Sequence, residues 1–382
     1  MSVSPTPATM TPRERLWAAL NGQQPDRVPI WMLYPREQYG SYVDVHRLPS
    51  YAPVMPTLWN KTDWLDRRNL HAGSFYTAAA RVETQVEQHK DYTSTRRILH
   101  TPLGDLTAEH WQDTHNAAGA QVEHYCKEIE DLDKVLAIPY EPVEPDLTAF
   151  HEAGQRLGDA GLMMVSLGMP IGVAYGLTHP QTFAEWTLTE REALVRFTQV
   201  MFEREYAFLR KALEQGAGPV FFTVGTEFVA PPMCSPAAFD ALITPFDAPI
   251  FELIHRYGGR VIVHHHGRIA AILERIADIG ADGIQPIEEP PVGDCTMAEA
   301  KRRIGDRVCL VGSVQYDDFE RLTPDEMEAL VRRQIQDAAP GGGMILAPTA
   351  GPYAAHLTPR HQENLLRFVE AGLKWGRYPL RG

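Results

Sequence analysis

The chain has 382 residues, 44% of them hydrophobic and 22% charged, a balance that supports a sizeable buried core. Its 36 basic and 49 acidic residues leave a formal charge of −13, and no basic run offsets it, which argues against a nucleic-acid surface. No apolar run reaches the roughly 18 residues of a membrane span, and four cysteines without a C-x-x-C pair make no disulfide framework, so a reduced, cytoplasmic protein is expected.

Residues 1–10 are rich in Pro, Ser and Thr and read as a flexible tail; residues 11–382 read as one domain. Thr11-Pro12-Arg13-Glu14 carries a helix start, with Thr11 as N-cap, Pro12 in the first turn and Glu14 closing a capping box. RERLWAAL follows at helical spacing, Asn21-Gly22 ends it, and VPIWML reads as a first strand. From about 35 to 145 the pattern loosens into an irregular insertion, where RVETQVEQ and YTSTRRILHTPLGDL suggest antiparallel strands. CKEIEDLDKVLAIP reads as a short helix with a proline exit.

Beyond residue 145 apolar runs alternate with amphipathic helices. GLMMVSLG precedes a helical stretch from about 182 to 215, and PVFFTVG precedes AAFDALITPFDAPIFELIHRYG. RVIVHHH, DGIQPI, RVCLVG and GGMILAP follow, each leading into a helix. Near-continuous apolar strands separated by helices indicate parallel βαβ units. Six such strands, VPIWML and an eighth hidden in the irregular region predict a (β/α)8 TIM barrel. The competing open sheet is disfavoured because no G-x-G-x-x-G follows the first strand and no G-x-x-x-x-G-K-[ST] occurs.

A parallel barrel places its site at the C-terminal strand ends. Those ends carry Trp31 and Tyr34, Ser166, Thr226-Glu227, His264-His265-His266, Gln285 and Glu288, Ser313 and Gln315, and Thr349 with Tyr353. Side chains alternate along a strand, so His264 and His266 share a face while His265 points away. Two imidazoles with the Glu227 carboxylate suit zinc or ferrous iron. Hydrogen-bonded polar groups at a strand exit are the other reading of the histidines, and residue pattern leaves both open. Cys234 and Cys309 read as buried fillers. Asp44-Val45-His46-Arg47-Leu48-Pro49 imitates a D-x-H-x-x-G corrinoid motif, but Pro49 stands where glycine is needed.

TPRERLWAALNGQQPDRVPIW (11–31), TPLGDL (101–106), KEIEDLDKV (127–135), GTEFVAPPMCSPAAF (225–239), VIVHHHG (261–267), RVCLVGSVQ (307–315) and the GGGMILAP block stand in order along nearly the whole chain. Together they resemble the uroporphyrinogen decarboxylase superfamily, particularly its corrinoid-dependent methyltransferase branch. The resemblance implies a barrel with its site in the mouth, and a zinc held by the histidine and cysteine of H-x-C plus a later cysteine. His264 matches the histidine, His266 replaces the first cysteine, and no cysteine stands near Thr349-Ala350-Gly351. A harder set of His264, His266 and Glu227 (or His356) would suit oxygen or water better than a thiol. The arginine-rich stretch of the decarboxylase branch is reduced here to MLYPREQYG, with Arg36 as its counterpart.

The resulting expectation is a methyltransferase or demethylase acting on a small, aromatic-type substrate, with methyl exchanged with a corrinoid on a separate protein. Catalysis and metal binding are assigned to His264, His266 and Glu227, and substrate contacts to Trp31, Tyr34, Gln315 and Tyr353. A metal-assisted lyase, decarboxylase or hydrolase, and a non-catalytic barrel binding a tetrapyrrole or aromatic ligand, are the rival readings. A homodimer is expected by family analogy alone.

Overall fold

The computed structural model describes residues 10–37, 43–114 and 119–380. The expected N-terminal tail, save its last residue, lies outside them. The helix Pro12–Leu20 starts with the expected capping box between Thr11 and Glu14. The strands are β1 (Trp64–Asn69), β2 (Arg81–Gln88), β3 (Tyr92–His100), β4 (Leu106–Asp113), β5 (Gly119–Glu123) and β6 (Gly161–Leu167). They continue with β7 (Val220–Val224), β8 (Arg260–His264), β9 (Gly283–Gln285), β10 (Cys309–Val314) and β11 (Met344–Pro348).

Seven of these strands form one parallel, curled sheet in the order β1-β6-β7-β8-β9-β10-β11. Alternation sorts its side chains into two buried faces. Leu65, Leu162, Met164, Phe222, Ile262, Val311 and Ile345 pack inside the curl with Trp31, Leu16 and Leu20. Val165, Phe221, Val263, Leu310 and Leu346 face the helices. Strands β2 to β5 form a separate antiparallel sheet, which is the content of the irregular insertion.

VPIWML, expected as the first strand, is not one. Among the described residues its only ladder contact is a parallel bridge from Ile30 to Leu346. Trp31 N–H donates to Leu346 O and Leu346 N–H to Pro29 O, both at 2.9 Å, while Val28 N–H turns to Gly376 O. Pro29 has no N–H to extend the ladder. On the other side Asp63 N–H donates to Ile30 O at 2.7 Å. Segment 28–31 thus lies between β11 and the residue before β1.

Asp63, 1% exposed, ties this seam together. Its Oδ1 accepts from Arg15 at 2.6 Å and Arg27 at 3.1 Å, and its Oδ2 accepts from Arg27 and the Ile30 amide, each at 2.8 Å. A buried carboxylate is tolerated when its lone pairs are filled by charged donors in this way.

The helical stretch expected from 182 to 215 is two helices, Pro180–Thr189 and Arg191–Glu214, separated at Glu190. Among the described residues, no helix is long and apolar enough to cross a membrane.

Candidate active site

Strand β8 ends at His264, and the next two residues continue along the mouth of the curled sheet. Gln285, fully buried at the end of β9, donates from Nε2 to Thr349 O at 3.0 Å and to Pro348 O at 3.3 Å. Those two bonds leave its Oε1 as the acceptor facing His264 Nδ1, 2.5 Å away. His264 therefore carries its proton on Nδ1 and a lone pair on Nε2. Burial, with the neighbouring His266 second, pushes its pKa down to about 3, so the ring is neutral at physiological pH.

His266 is held differently. Its Nδ1 lies 3.3 Å from Glu288 Oε2, the oxygen that also accepts the Gly267 N–H at 2.6 Å. Glu288 Oε1 accepts from Gln315 Nε2 at 3.2 Å, and Gln315 Oε1 accepts the Thr349 hydroxyl at 3.1 Å. This chain of bonds joins the ends of β8, β9, β10 and β11. Burial lowers the His266 pKa, but Glu288 and then Glu227 outweigh it and hold the ring above its ordinary value. Burial likewise raises Glu288, yet its bonds from His266 and the Gly267 amide keep it below the usual carboxylate range. The result is a half-buried histidine–carboxylate pair facing the mouth, in which each partner favours the other's charged form.

The rings of His264 and His266 meet edge-to-face at 4.6 Å between centroids. His265 turns the other way and is 1% exposed, with Nδ1 2.9 Å from the Thr226 hydroxyl, which itself donates to His264 O.

Glu227 sits on the turn Thr226–Val229 after β7. The turn starts at Gly225 with φ +126°, a left-handed backbone where any Cβ would also press on the Phe228 ring at 3.3 Å. Glu227 Oε2 accepts the Gly225 N–H at 3.2 Å. Burial raises its pKa, with backbone hydrogen bonds and His266 opposing.

The substrate contacts expected from the sequence divide. Tyr353 is half exposed at the mouth and donates its hydroxyl to Asp317. Gln315 spends its amide in the Glu288 network. Trp31 lies inside the curl, edge-on to Phe222, and its buried indole N–H has no partner among the described residues. Tyr34 is 2% exposed and packs against Tyr51, away from solvent.

Arg67 on β1 was not legible as a site residue. Its guanidinium lies 5.4 Å from the Phe222 ring centre, and Phe222 lies 5.0 Å from His264. Leu65, two residues earlier, is on the inner face, so alternation would have placed Arg67 in the mouth had β1 been recognised. Arg36, the expected counterpart of the arginine-rich stretch, instead stacks between Trp59 and Trp64.

The donors expected for a metal are not gathered into a ligand set among the described residues. A protein zinc site takes at least three protein ligands. Among the described residues, no group of three or more His, Cys, Asp or Glu side chains is placed to hold a metal ion. Glu227 is engaged by Gly225, Glu288 by Gly267 and Gln315, and all four cysteines are buried free thiols. Cys234 packs with the Thr187 hydroxyl, and Cys309 belongs to the apolar interior of the curl. Equilibrium dialysis of untagged protein against zinc is expected to show no stoichiometric high-affinity ion; one zinc per chain, lost in His264→Ala, would contradict this.

A curled parallel sheet with polar groups gathered at its C-terminal strand ends defines an α/β enzyme-type architecture, and sequence comparison makes the class specific. The chain belongs to the uroporphyrinogen decarboxylase (URO-D) family, whose sequence profile matches residues 112–373. It is 27% identical over 229 residues to the methylcobamide:CoM methyltransferase MtaA of Methanosarcina barkeri (strain Fusaro / DSM 804). That alignment spans 59% of this chain and 62% of the relative. A solved methyltransferase from Methanosarcina mazei has the same fold, with a TM-score of 0.60 at 19% identity, covering 96% of this chain and 99% of that one.

Proposed function

We propose that this protein is a methyltransferase, moving a methyl group between a small substrate with an aromatic or electron-rich acceptor atom and a one-carbon carrier such as a corrinoid protein. The observation that carries the reading is the hydrogen-bonded set His264, Gln285, His266 and Glu288 at the sheet mouth, in a chain similar to a methylcobamide:CoM methyltransferase. In this reading segment 28–31 serves as the eighth stave of a closed (β/α)8 barrel.

Methylation of an acceptor X–H forms the X–C bond, releases the proton, and leaves the electron pair of the broken methyl bond on the carrier. The proton needs a positioned base. His266 in its neutral form takes it on Nε2, and Glu288 on Nδ1 stabilises the imidazolium that results. The His264 Nε2 lone pair, left open because Nδ1 donates to Gln285, is a second acceptor for a different donor group on the substrate. Phe222 and the stacked Tyr175–Phe228 pair, 3.7 Å between centroids, supply apolar walls, and Tyr353 closes the rim. Arg67 places a cation beside the Phe222 ring at the mouth. Glu227, whose pKa burial raises, is the second acid/base group. The reading rests on the chain's own residues and needs no metal donor beyond those present.

Methylcobalamin tests it. Incubated with the protein and a panel of small thiols and phenols, it should lose its methyl group faster than without protein. The acceleration should require His266. A folded protein that accelerates demethylation with none of these acceptors would remove the proposal.

A further inference from the structure

Strand β2 is an open sheet edge eight residues long. Among the described residues it pairs only with β3, and every one of its residues is exposed, including Val82 at 42% and Val86 at 61%. It contains no proline and no register shift, two of the devices that keep an edge strand from pairing, and its charges, Arg81, Glu83 and Glu87, must be matched across any contact. The hairpin shows which backbone groups are free. His89 N–H donates to Tyr92 O at 2.8 Å, so His89–Tyr92 is a hydrogen-bonded pair. In an antiparallel ladder such pairs alternate, so Arg81, Glu83, Gln85 and Glu87 turn their backbone groups toward β3. Val82, Thr84, Val86 and Gln88 therefore turn theirs to the open edge.

We propose that β2 pairs antiparallel with β2 of a second copy, about a two-fold axis through Thr84, joining the two four-stranded sheets into one of eight strands. The register follows from the sequence. Only outward residues can face each other as hydrogen-bonded pairs, and two symmetric registers then align seven residues. The one centred on Gln85 sets Glu83 against Glu87 twice, like charge against like. The one centred on Thr84 sets Arg81 against Glu87 twice, Val82 against Val86 twice, and Thr84 against itself. Arg81 makes no ion pair within its own chain among the described residues, so it is available to the partner copy. Opposite charges and apolar pairs directly across a ladder are the favourable combinations. A closed two-fold contact of this kind uses one surface twice and stops at a dimer.

Light scattering and sedimentation of the full chain across a concentration series test this. Wild type should dimerise. Arg81→Glu and Glu87→Arg should each weaken the dimer about tenfold or more, since each turns two attractive pairs into two repulsive ones. Mixing the two variants should restore a dimer, because every charge at these two positions then faces one of opposite sign on the other copy. Thr84→Pro removes an outward N–H without touching the β3 ladder, and should leave a folded monomer. A wild-type monomer at every concentration, a dimer indifferent to Arg81→Glu and Thr84→Pro, or a mixture that stays monomeric would each overturn the proposal.

Discussion

Glu288→Gln is expected to shift the alkaline-rising limb of the methyl-transfer pH profile to lower pH and to cut kcat/KM, while His266→Ala abolishes the limb. If His266 acts as the base, activity rises as it loses its proton. Glu288 and Glu227 hold its pKa above 6.5, so the wild-type limb lies above that value. Without the Glu288 charge, burial is opposed mainly by Glu227 and the limb moves down. Loss of a positioned acid/base group ordinarily costs about 10²–10⁴-fold in rate. The measurement is kcat/KM against pH with methylcobalamin and the best acceptor. Unchanged limbs in Glu288→Gln would show that the pair is structural. The pair also links stability to pH: the raised His266 contributes below its unfolded value of 6.5 and is lost as pH rises through its folded pKa. The lowered Glu288 contributes above 4.5 and is lost as pH falls through its folded pKa. The full contribution is therefore present between those two values.

Replacing Glu205 by Gln is expected to stabilise the fold by on the order of 3 kcal/mol at neutral pH and by less than about 1 kcal/mol at pH 5. Glu205 on helix Arg191–Glu214 and Asp247 on helix Thr244–Arg256 are 0% and 1% exposed, and none of their four carboxyl oxygens has a hydrogen-bond partner among the described residues. Burial pushes Glu205 up to about 8. Burial, and then the charge of Glu205, raise Asp247 well above its ordinary value. An acid raised in the fold favours the native state when protonated. Wild-type stability should therefore fall as pH rises from 4.5 toward 8, and the amide should relieve that loss. Thermal unfolding at pH 5 and pH 8 decides it: an equal gain at both, or a wild type that grows more stable toward pH 8, would refute the argument. Asp247→Asn should give a gain that is less than additive with Glu205→Gln, because each removes part of the other's penalty.

The regular half of the fold was legible because both faces of its strands are apolar. The strand runs read at GLMMVSLG, PVFFTVG, RVIVHHH, DGIQPI, RVCLVG and GGMILAP coincide with β6 to β11. Strand β1 was hidden because its residues look like a loop. WLDRRN buries Asp66 and Arg68 as a 2.7 Å ion pair on one face and places Arg67 over Phe222 on the other. No hydropathy pattern distinguishes such paired charges from exposed ones. VPIWML misled for the opposite reason: it is apolar and buried, yet splits its hydrogen bonds among Gly376, Leu346 and Asp63. At the site, strand alternation separated His264 and His266 from His265. The role of Glu288 was not legible, since it lies three residues past the end of β9 and reaches back through the loop to Gly267.

The carboxylate of Asp63 bears on how much of the chain can stand alone. The family match starts at residue 112, after the first helix, segment 28–31 and β1. A fragment trimmed to that match would lack Arg15, Arg27 and Asp63 together, leaving β6 and β11 as two raw margins with nothing between them. The histidines would remain on such a fragment, but the wall opposite them would be gone. Autonomy of the histidine-bearing part is thus set by residues outside the part that identifies the family.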